Sequence, residues 1–559
     1  MRELIDERNL LSYKRDEAVS DSRGFTSPEN GREVMAASIS PLFSSESQII
    51  RNSQGQTEYH NHSSMYRLPL KAAKSKSRDS VLPDSFPQDA ESRRKLLENA
   101  ATQRGIEPAI LYIYTLGLPE APQELYTYLL DSFWTWIYPM FSMVYRPAFV
   151  RGMLEVNNPY FNSFQFHAIL AHSTRHCREQ QAMADHQPLV QYFEAKAKTL
   201  LDEELEKGSS VATAQGLLLL SALENTKGRI SQGWMYAGMA FRMVQDLGCQ
   251  FDVGPDEHHT EVDLEARRRL WWSAYLWDKM ISVYLGRTPM LQDTISAAPQ
   301  VILDDSTEHD IWTPLGMPGC QVDPRPSHAV SCFIMACSTS VVLTRVLLRY
   351  YCGTSEGGLG MGVEDKRLLH DAVGLLEKIP MHLRVNANDI VPTHLSHLAC
   401  FIHATIILAH RPHYAAKPDK DHAVARRCMD SAVKILDVVR TERIAYGMPR
   451  FTIVAWTLWV AASVFLLDLA VHKQMAIFIP ADTVKTLREI QSILLEMAGG
   501  QPSLHRSVEV LNDQLGELAV ESTSDSATDG SRPPQFDDTA PGDFILNDIF
   551  LNGFLSQAG

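Results

Sequence analysis

Apolar residues recur along most of this chain at the spacing of an α-helix. From about residue 122 to residue 518, nearly every segment has apolar positions three or four residues apart, which places them on one helix face. No run of alternating strand-like positions interrupts this pattern. We therefore predict an all-α fold, with one large multi-helix domain over residues 122–518. The clearest predicted helices are Phe164–Thr174, Leu189–Leu205, Val211–Glu224, Gly233–Leu247, Leu264–Leu285, Ser327–Tyr351, Asp365–Lys378, Thr393–Ala409, Asp421–Tyr446, Thr452–His472 and Thr483–Met497.

The helical region opens on a segment that is dense in aromatic residues, Leu125–Phe149. Its first apolar residues have helical spacing. Proline fixes its own backbone angle and lacks an N–H group, so Pro139 and Pro147 predict a bend and an extended exit.

The two ends of the chain differ from the middle. Residues 1–105 are polar and contain few aromatic residues, so they cannot bury enough apolar surface to offset the entropy of ordering. We predict that they are disordered. The stretch Arg67–Arg78 carries five basic side chains and no acid. It is either a nuclear-import or phosphate-contacting patch or a solvated linker.

The C-terminal tail, residues 521–559, carries seven acids against one base. Bulky apolar residues are interspersed with the acids Asp543 and Asp548. Acids keep such a segment soluble, and its apolar side chains dock when it folds onto a partner groove. We therefore predict an activation segment; the alternative is a terminal helix that packs on its own domain. The residues concerned are Phe544, Ile545, Leu546, Ile549, Phe550, Leu551, Phe554 and Leu555.

Composition limits the chemistry. The formal net charge is −15, which disfavours autonomous DNA binding because Lys and Arg supply most non-specific affinity for phosphates. The eight cysteines include no C-x2-C pair, so we predict no metal site and interpret them as buried thiols. The apolar run Phe451–Leu467 is near the lower limit for a membrane span, and we favour a buried core helix.

Isolated histidines do not change this prediction. His172 and His176 are four residues apart, but position 173 is a serine where a zinc protease needs a glutamate. The histidines between His394 and His413 have helical spacing, and we interpret them as core or interfacial residues. No nucleophile elbow or phosphate-binding loop occurs, so we predict no catalytic residue and no cofactor.

The most specific pattern runs from Gly233 to Pro289. In its first helix Gly238 is expected to allow close approach of a neighbouring helix, and Gly248 to end the helix in a left-handed conformation. In its second helix Asp278 falls on an apolar stripe, where a carboxylate needs a partner. The candidates are the cluster Arg267–Arg269 and Arg287, and an ion pair is preferred over a ligand contact.

This block resembles the fungal-specific transcription factor domain, the middle homology region of the fungal zinc-cluster transcription factors. Weaker matches flank it at residues 133–149, 215–224 and 408–412, so that the resemblance spans roughly residues 122–500. The residues that carry the resemblance are Gly233, Trp234, Gly238, Ala240, Leu247, Gly248, Glu265, Arg267, Arg268, Trp271, Trp272, Tyr275, Asp278, Gly286, Arg287 and Pro289.

The resemblance implies a nuclear regulator of RNA polymerase II genes, not an enzyme, acting in secondary metabolism or nutrient utilisation. Its helical domain would receive a signal and its tail would recruit transcription coactivators. The family's DNA-binding module holds zinc with six cysteines, but no cysteine precedes Cys177 here. DNA binding is thus expected by family only, through a DNA-binding partner or as a homodimer. The alternatives are a co-regulator or repressor without its own DNA-binding module, and a helical enzyme or small-molecule-binding protein that shares the domain.

Overall fold

A computed structural model provides the structure of this protein. It describes residues 49–51, 57–59 and 87–524, with gaps at 156–157, 177–186, 252–258, 292–301, 318–319, 321, 353–361, 387, 417–421 and 475–480. The basic stretch Arg67–Arg78 and the apolar residues of the tail lie outside these ranges, so both interpretations stay predictions.

The described residues are predominantly helical, as predicted. The strands are short antiparallel pairs: β1 (Ile49–Arg51) with β2 (Thr57–Tyr59), and β3 (Ile311–Trp312) with β4 (Arg325–Pro326). The helices are α1 (Pro87–Leu116), α2 (Gln123–Ser132), α3 (Tyr138–Phe141), α4 (Arg146–Gly152), α5 (Ser163–Ser173), α6 (Gln187–Glu206), α7 (Val211–Thr226), α8 (Ile230–Asp246), α9 (Glu261–Leu285), α10 (Ala329–Tyr350), α11 (Val363–Lys378), α12 (Thr393–Ala416), α13 (His422–Tyr446), α14 (Thr452–Gln474), α15 (Ala481–Ala498) and α16 (His505–Ser524).

One hydrophobic core runs through these helices, from Ile110 in α1 to Leu511 in α16. Helices α5, α7, α8 and α9 contact one another in sequence and form one group, and α10, α12, α13 and α14 form a second contacting group. Helix α10 contacts both α9 and α12, so it joins the two groups. Because the core is continuous, residues far apart in sequence line common surfaces.

The segment Gly233–Pro289 is called the motif block below. Helix α9 is its best-defined element, since both ends of the helix have strong local signals. Thr260 caps its N-terminus and Asp263 returns the bond to the Thr260 backbone, forming a capping box. Its C-terminus ends at Gly286, whose φ of 63° lies in the left-handed region that glycine tolerates best. Most of its side chains are buried, because other elements pack around it.

Two predicted boundaries of the helical region are wrong. Disorder was expected as far as residue 105, but α1 begins at Pro87 and buries Leu96 and Ala100. The acidic tail was expected to start at Glu521, but α16 continues to Ser524. The start of α1 carries many polar residues, and the apolar residues that it buries, such as Leu96 and Ala100, are too sparse to stand out in the sequence.

The aromatic opening bends in a different place from the predicted one. Its helix continues through a π-helical turn, Phe133–Ile137, and the short α3. The chain then reverses at Ser142, a non-glycine residue with a φ of 40°. Pro147 lies in the first turn of α4, where proline's missing N–H is tolerated, so the expected extended exit does not occur.

Helix α12 also exceeds its predicted length. The expected end at Ala409 and the turn at Pro412 are not observed, because α12 runs through Pro412 to Ala416. Pro412 is itself buried within the helix, so packing on neighbouring helices offsets the hydrogen bond that proline removes.

In the part of the chain that the structure describes, two helices, Ala329–Tyr350 and Thr452–His472, are apolar and long enough to cross a membrane by length and composition alone. In each, 72% of the apolar window is buried inside the protein. Helix α14 contacts α12, α13 and α15, which is the environment expected for the core helix that the run Phe451–Leu467 predicted.

Candidate functional site

The first structural role of the motif block is to anchor a loop. Glu265 and Arg269 are fully buried on α9 and form an ion pair with an Nε–Oε1 distance of 2.9 Å. Glu265 accepts the backbone N–H groups of Leu303 and Asp304, and Arg269 donates to the Asp304 carbonyl at 2.6 Å. Tyr145 donates to the Asp304 carboxylate at 2.6 Å. This buried network fixes residues 302–305 against α9.

Asp278 has a different partner from the expected arginines. Its carboxylate pairs with the adjacent Lys279 at 2.8 Å, and both side chains are fully buried. It also accepts the backbone N–H groups of Met290 and Leu291, at 3.0 and 2.8 Å. Lys279 donates to the Leu291 carbonyl and lies 3.8 Å from the centroid of the Tyr275 ring. The prediction of an ion pair is right in kind, but its partner is wrong.

Close packing of α8 occurs at a different glycine from the predicted one. A side chain at Gly238 would meet no atom within 4 Å, so the predicted close approach there is wrong. A Cβ at Gly233 would lie 2.6 Å from the Asn225 amide, so Gly233 is the residue at the contact between α7 and α8.

The two ends of the motif block also contact each other. The Arg287 guanidinium lies 4.8 Å from the centroid of the Trp234 ring, a cation–π distance.

The remaining motif residues serve packing. Gly248 has a φ of 67°, as predicted for the residue that ends α8, and Arg267 donates to the neighbouring Leu247 carbonyl. The buried Tyr275 hydroxyl lies 2.7 Å from the Thr344 hydroxyl of α10. Buried apolar surface comes from Ala240, Leu247, Trp271, Trp272 and Pro289, whereas Arg268 is partly exposed.

A partly enclosed cavity of about 70 Å³ lies beside the motif block. Five separate stretches of the chain contribute lining residues: 137–143, 172–176, 218–226, 277–284 and 450–456. Most of the lining is apolar. Because α9 supplies one wall and the start of α14 another, the cavity lies where the two groups of helices meet.

Two polar residues, His172 and Asn225, also line this cavity. Nδ1 of His172 and Oδ1 of Asn225 are buried without a hydrogen-bond partner among the described residues, and the Asn225 amide lies against Gly233. Burial lowers the pKa of His172 to about 3, and the nearby Arg175 adds to the shift, so its imidazole is neutral. His172 and His176 stack with ring centroids 5.3 Å apart. A cavity with an apolar lining and a few polar groups is the usual form of a small-molecule site.

One group of described residues has the geometry to hold a metal ion: Glu308, His328 and His382, whose potential ligand atoms all lie within 4.8 Å of one another. Glu308, however, also caps α10, since it accepts the backbone N–H groups of Val330 and Ser331. Burial alone would raise the pKa of Glu308, but hydrogen bonds from Ser331 and His328 outweigh it and the pKa is lowered. The carboxylate is therefore already fully used in a structural role.

The α12 histidines that we interpreted as core residues bond to protein groups. Nε2 of His394 lies 2.6 Å from the Ser327 carbonyl, and Nε2 of His397 lies 3.1 Å from the Glu442 carboxylate. His403 similarly contacts the Ser431 hydroxyl at 3.2 Å. These contacts spread the histidines over different neighbours instead of converging them on one point.

The fold is a helical domain with a small, partly enclosed and mostly apolar cavity between its two groups of helices. Residues 130–312 match the family model described as the fungal specific transcription factor domain. No solved structure matches the chain.

Curated relatives agree with this assignment. The chain is 27% identical to the nitrogen assimilation transcription factor nirA of Emericella nidulans, over 62% of this chain and 40% of the relative. It is 26% identical to the nitrogen assimilation transcription factor nit-4 of Neurospora crassa, over 72% of this chain and 38% of the relative. The cutinase transcription factor 1 alpha of Fusarium vanettenii is 24% identical over 42% of this chain and 25% of its own length. The chain thus covers about two fifths of the length of nirA and nit-4.

Proposed function

We propose that this chain is a nuclear transcription regulator of the fungal type, and that its helical domain is a non-catalytic signal receiver. The match of residues 130–312 to the fungal specific transcription factor domain carries the proposal. The relatives' names support it, because nirA, nit-4 and the cutinase factor are all named as transcription factors.

The cavity is the proposed site of signal reception. One of its walls belongs to α9, inside the matched domain, and another to residues 450–456, outside it. A ligand bound there contacts both groups of helices at once. A ligand shifts a conformational equilibrium only by its difference in affinity for the two states, and a site between packed groups gives such a difference.

The acidic tail is the proposed output. Its apolar residues among acids match segments that fold onto a coactivator groove. The relatives that this chain matches are much longer than the chain itself. How the chain reaches DNA, through a partner or as a homodimer, is therefore part of the proposal.

A reporter experiment tests the output. The full chain fused to a foreign DNA-binding domain is expected to activate transcription and to accumulate in the nucleus. Joint replacement of Phe544, Phe550 and Phe554 by alanine should remove most of the activation, because these rings supply the docking surface. Phe536→Ala, outside the cluster, is the matched control. Full activation by the triple variant would refute the role of the tail.

A co-regulator without DNA contact is the second candidate, favoured by the net charge of −15. Chromatin immunoprecipitation of the tagged full chain, carried out in cells depleted of its partner transcription factors, separates the two candidates. Occupancy that persists supports direct binding, whereas occupancy that disappears supports the co-regulator.

A further inference from the structure

A second cavity lies between α11, α12 and α13. It has a volume of about 180 Å³ and is partly open to solvent. Its lining comes from the end of α11 and the turn after it (376–386), from one face of α12 (398–403) and from Lys434 of α13. These residues define the α11–α12 cavity. It shares no lining residue with the cavity beside the motif block, and it lies outside the matched stretch 130–312.

The walls of the α11–α12 cavity are mostly apolar. Leu383, Leu398 and Ile402 are at most 2% exposed, so they form its inner surface. The turn that borders the cavity is held by its own bonds, since Nε of Arg384 donates to the Ile379 carbonyl at 3.2 Å. The cavity therefore offers a preformed apolar surface to the hydrocarbon part of a ligand.

The charged residues that line the α11–α12 cavity are both cationic. Lys434 is half-buried and Arg384 is exposed, which places the charges towards the side that opens to solvent. Neither side chain forms an ion pair with a described residue. The nearby Asp389 carboxylate instead accepts the backbone and side-chain N–H groups of Asn386, at 3.0 and 2.9 Å. Two positive charges beside an apolar surface favour a ligand with one negative end.

His403 adds a polar group next to Lys434. Burial lowers the pKa of His403 to about 4, and the charge of Lys434 adds to the shift, so the imidazole is neutral at pH 7. Nδ1 of His403 lies 3.2 Å from the Ser431 hydroxyl. When Ser431 donates this bond, the imidazole proton is on Nε2. Nε2 has no hydrogen-bond partner among the described residues, so it is available to donate to an anion in the cavity.

The size of the α11–α12 cavity limits the ligand. An engineered apolar cavity of about 150 Å³ in another protein binds benzene. The α11–α12 cavity is slightly larger, so it has room for one ring, or a short chain of similar volume, with a small charged group at its open side. Ammonium and guanidinium groups both form strong hydrogen bonds with carboxylates.

We propose that the α11–α12 cavity binds a small apolar carboxylate, whose hydrocarbon part packs on the inner wall and whose carboxylate is held by Lys434, with His403 and Arg384 beside it. An aromatic source is an acid of the benzoate type, and an aliphatic source is a short fatty acid such as hexanoate. The inference goes beyond the proposed function and does not depend on it, because no lining residue belongs to the matched stretch 130–312 or to the acidic tail.

Isothermal titration calorimetry of the purified full chain measures this binding at pH 7. Sodium benzoate and sodium hexanoate are the probes, at constant ionic strength set by sodium chloride, and benzamide and hexanamide are their neutral counterparts. At least one carboxylate is expected to bind saturably and roughly tenfold or more tightly than its amide, as for the gain of a charged hydrogen bond. The two carboxylates distinguish the aromatic from the aliphatic source. The proposal would be overturned if neither carboxylate bound saturably, or if the amides bound as tightly.

Two variants assign the binding to the α11–α12 cavity. Lys434→Met removes the charge but keeps the length of the side chain, and it is expected to weaken carboxylate binding roughly tenfold or more. Ala399→Leu keeps Lys434 and fills the cavity, so it tests the site even if the first variant folds poorly. Lys366→Met, at an exposed position of α11, is the matched control and should bind as the unchanged protein does. Unchanged affinity in both cavity variants would show that the carboxylate binds elsewhere and would refute the assignment.

Discussion

Removing the carboxylate of Asp278 should destabilise the protein more than most single substitutions. Asp278 is 0% exposed, and its loss leaves the buried Lys279 ammonium without its counter-ion. Breaking a buried ion pair from one side costs about 3–5 kcal/mol. The backbone N–H groups of Met290 and Leu291 lose their acceptor as well, which places Asp278→Ala at the upper end of that range.

Urea unfolding, followed by circular dichroism, measures this loss of free energy of unfolding. Asp246→Ala, at an exposed position on α8, is the control and is expected to change stability by less than about 0.5 kcal/mol. The double variant Asp278→Leu with Lys279→Met removes both charges, so it should recover much of the loss.

The double variant also provides the refutation. If Asp278→Ala costs less than about 1 kcal/mol, Lys279 is not desolvated as the structure has it. If the double variant is less stable than Asp278→Ala, the cost comes from packing around these side chains and not from an unpaired charge.

Two further predictions concern α8 and pH. Gly233→Ala should lower the free energy of unfolding by about 1–3 kcal/mol, because its Cβ would meet the Asn225 amide, whereas Gly238→Ala should raise it by up to about 1 kcal/mol through helix propensity. Equal melting temperatures of these two variants would contradict the packing of α7 on α8. Burial lowers the pKa values of His172 and His394 to about 3 and about 4. The unfolded chain therefore binds more protons below about pH 6.5, and each histidine should reduce stability by about 1.4 kcal/mol per pH unit as pH falls from there towards 4. His394→Gln should flatten this pH dependence in urea unfolding, and an unchanged slope would refute the assignment.

Much of the helical pattern could be predicted because burial on one side imposes a period on the sequence. Helix α13 was expected over Asp421–Tyr446 and is observed over His422–Tyr446. The errors occur where tertiary packing overrides a local signal, as at Pro412, which α12 accommodates because its neighbours bury it.

The site was less predictable than the fold. The sequence singled out Glu265 and Asp278, but not the partners that satisfy them, since those depend on the path of a later loop. His172 was noticed only as half of an implausible metal pair. Arg175 and Arg450 line the cavity beside the motif block and donate to each other's backbone carbonyls. Neither has a local signal in the sequence, because they are 275 residues apart. An apolar helix that begins just after a lone arginine, as α14 does, is the nearest hint in the sequence.

Trp312, the last residue of the matched domain, has a practical consequence for fragment design. Its indole donates to the Thr135 carbonyl at 3.0 Å, and its ring lies 5.6 Å from that of Tyr446, far beyond the match. A fragment trimmed to residues 130–312 would lack α10 to α16 and would expose the apolar surfaces that they cover, which invites aggregation. It would also lose the Arg450 wall of the cavity. The part of the chain that the family model matches is thus shorter than the part that must be expressed for the domain to fold.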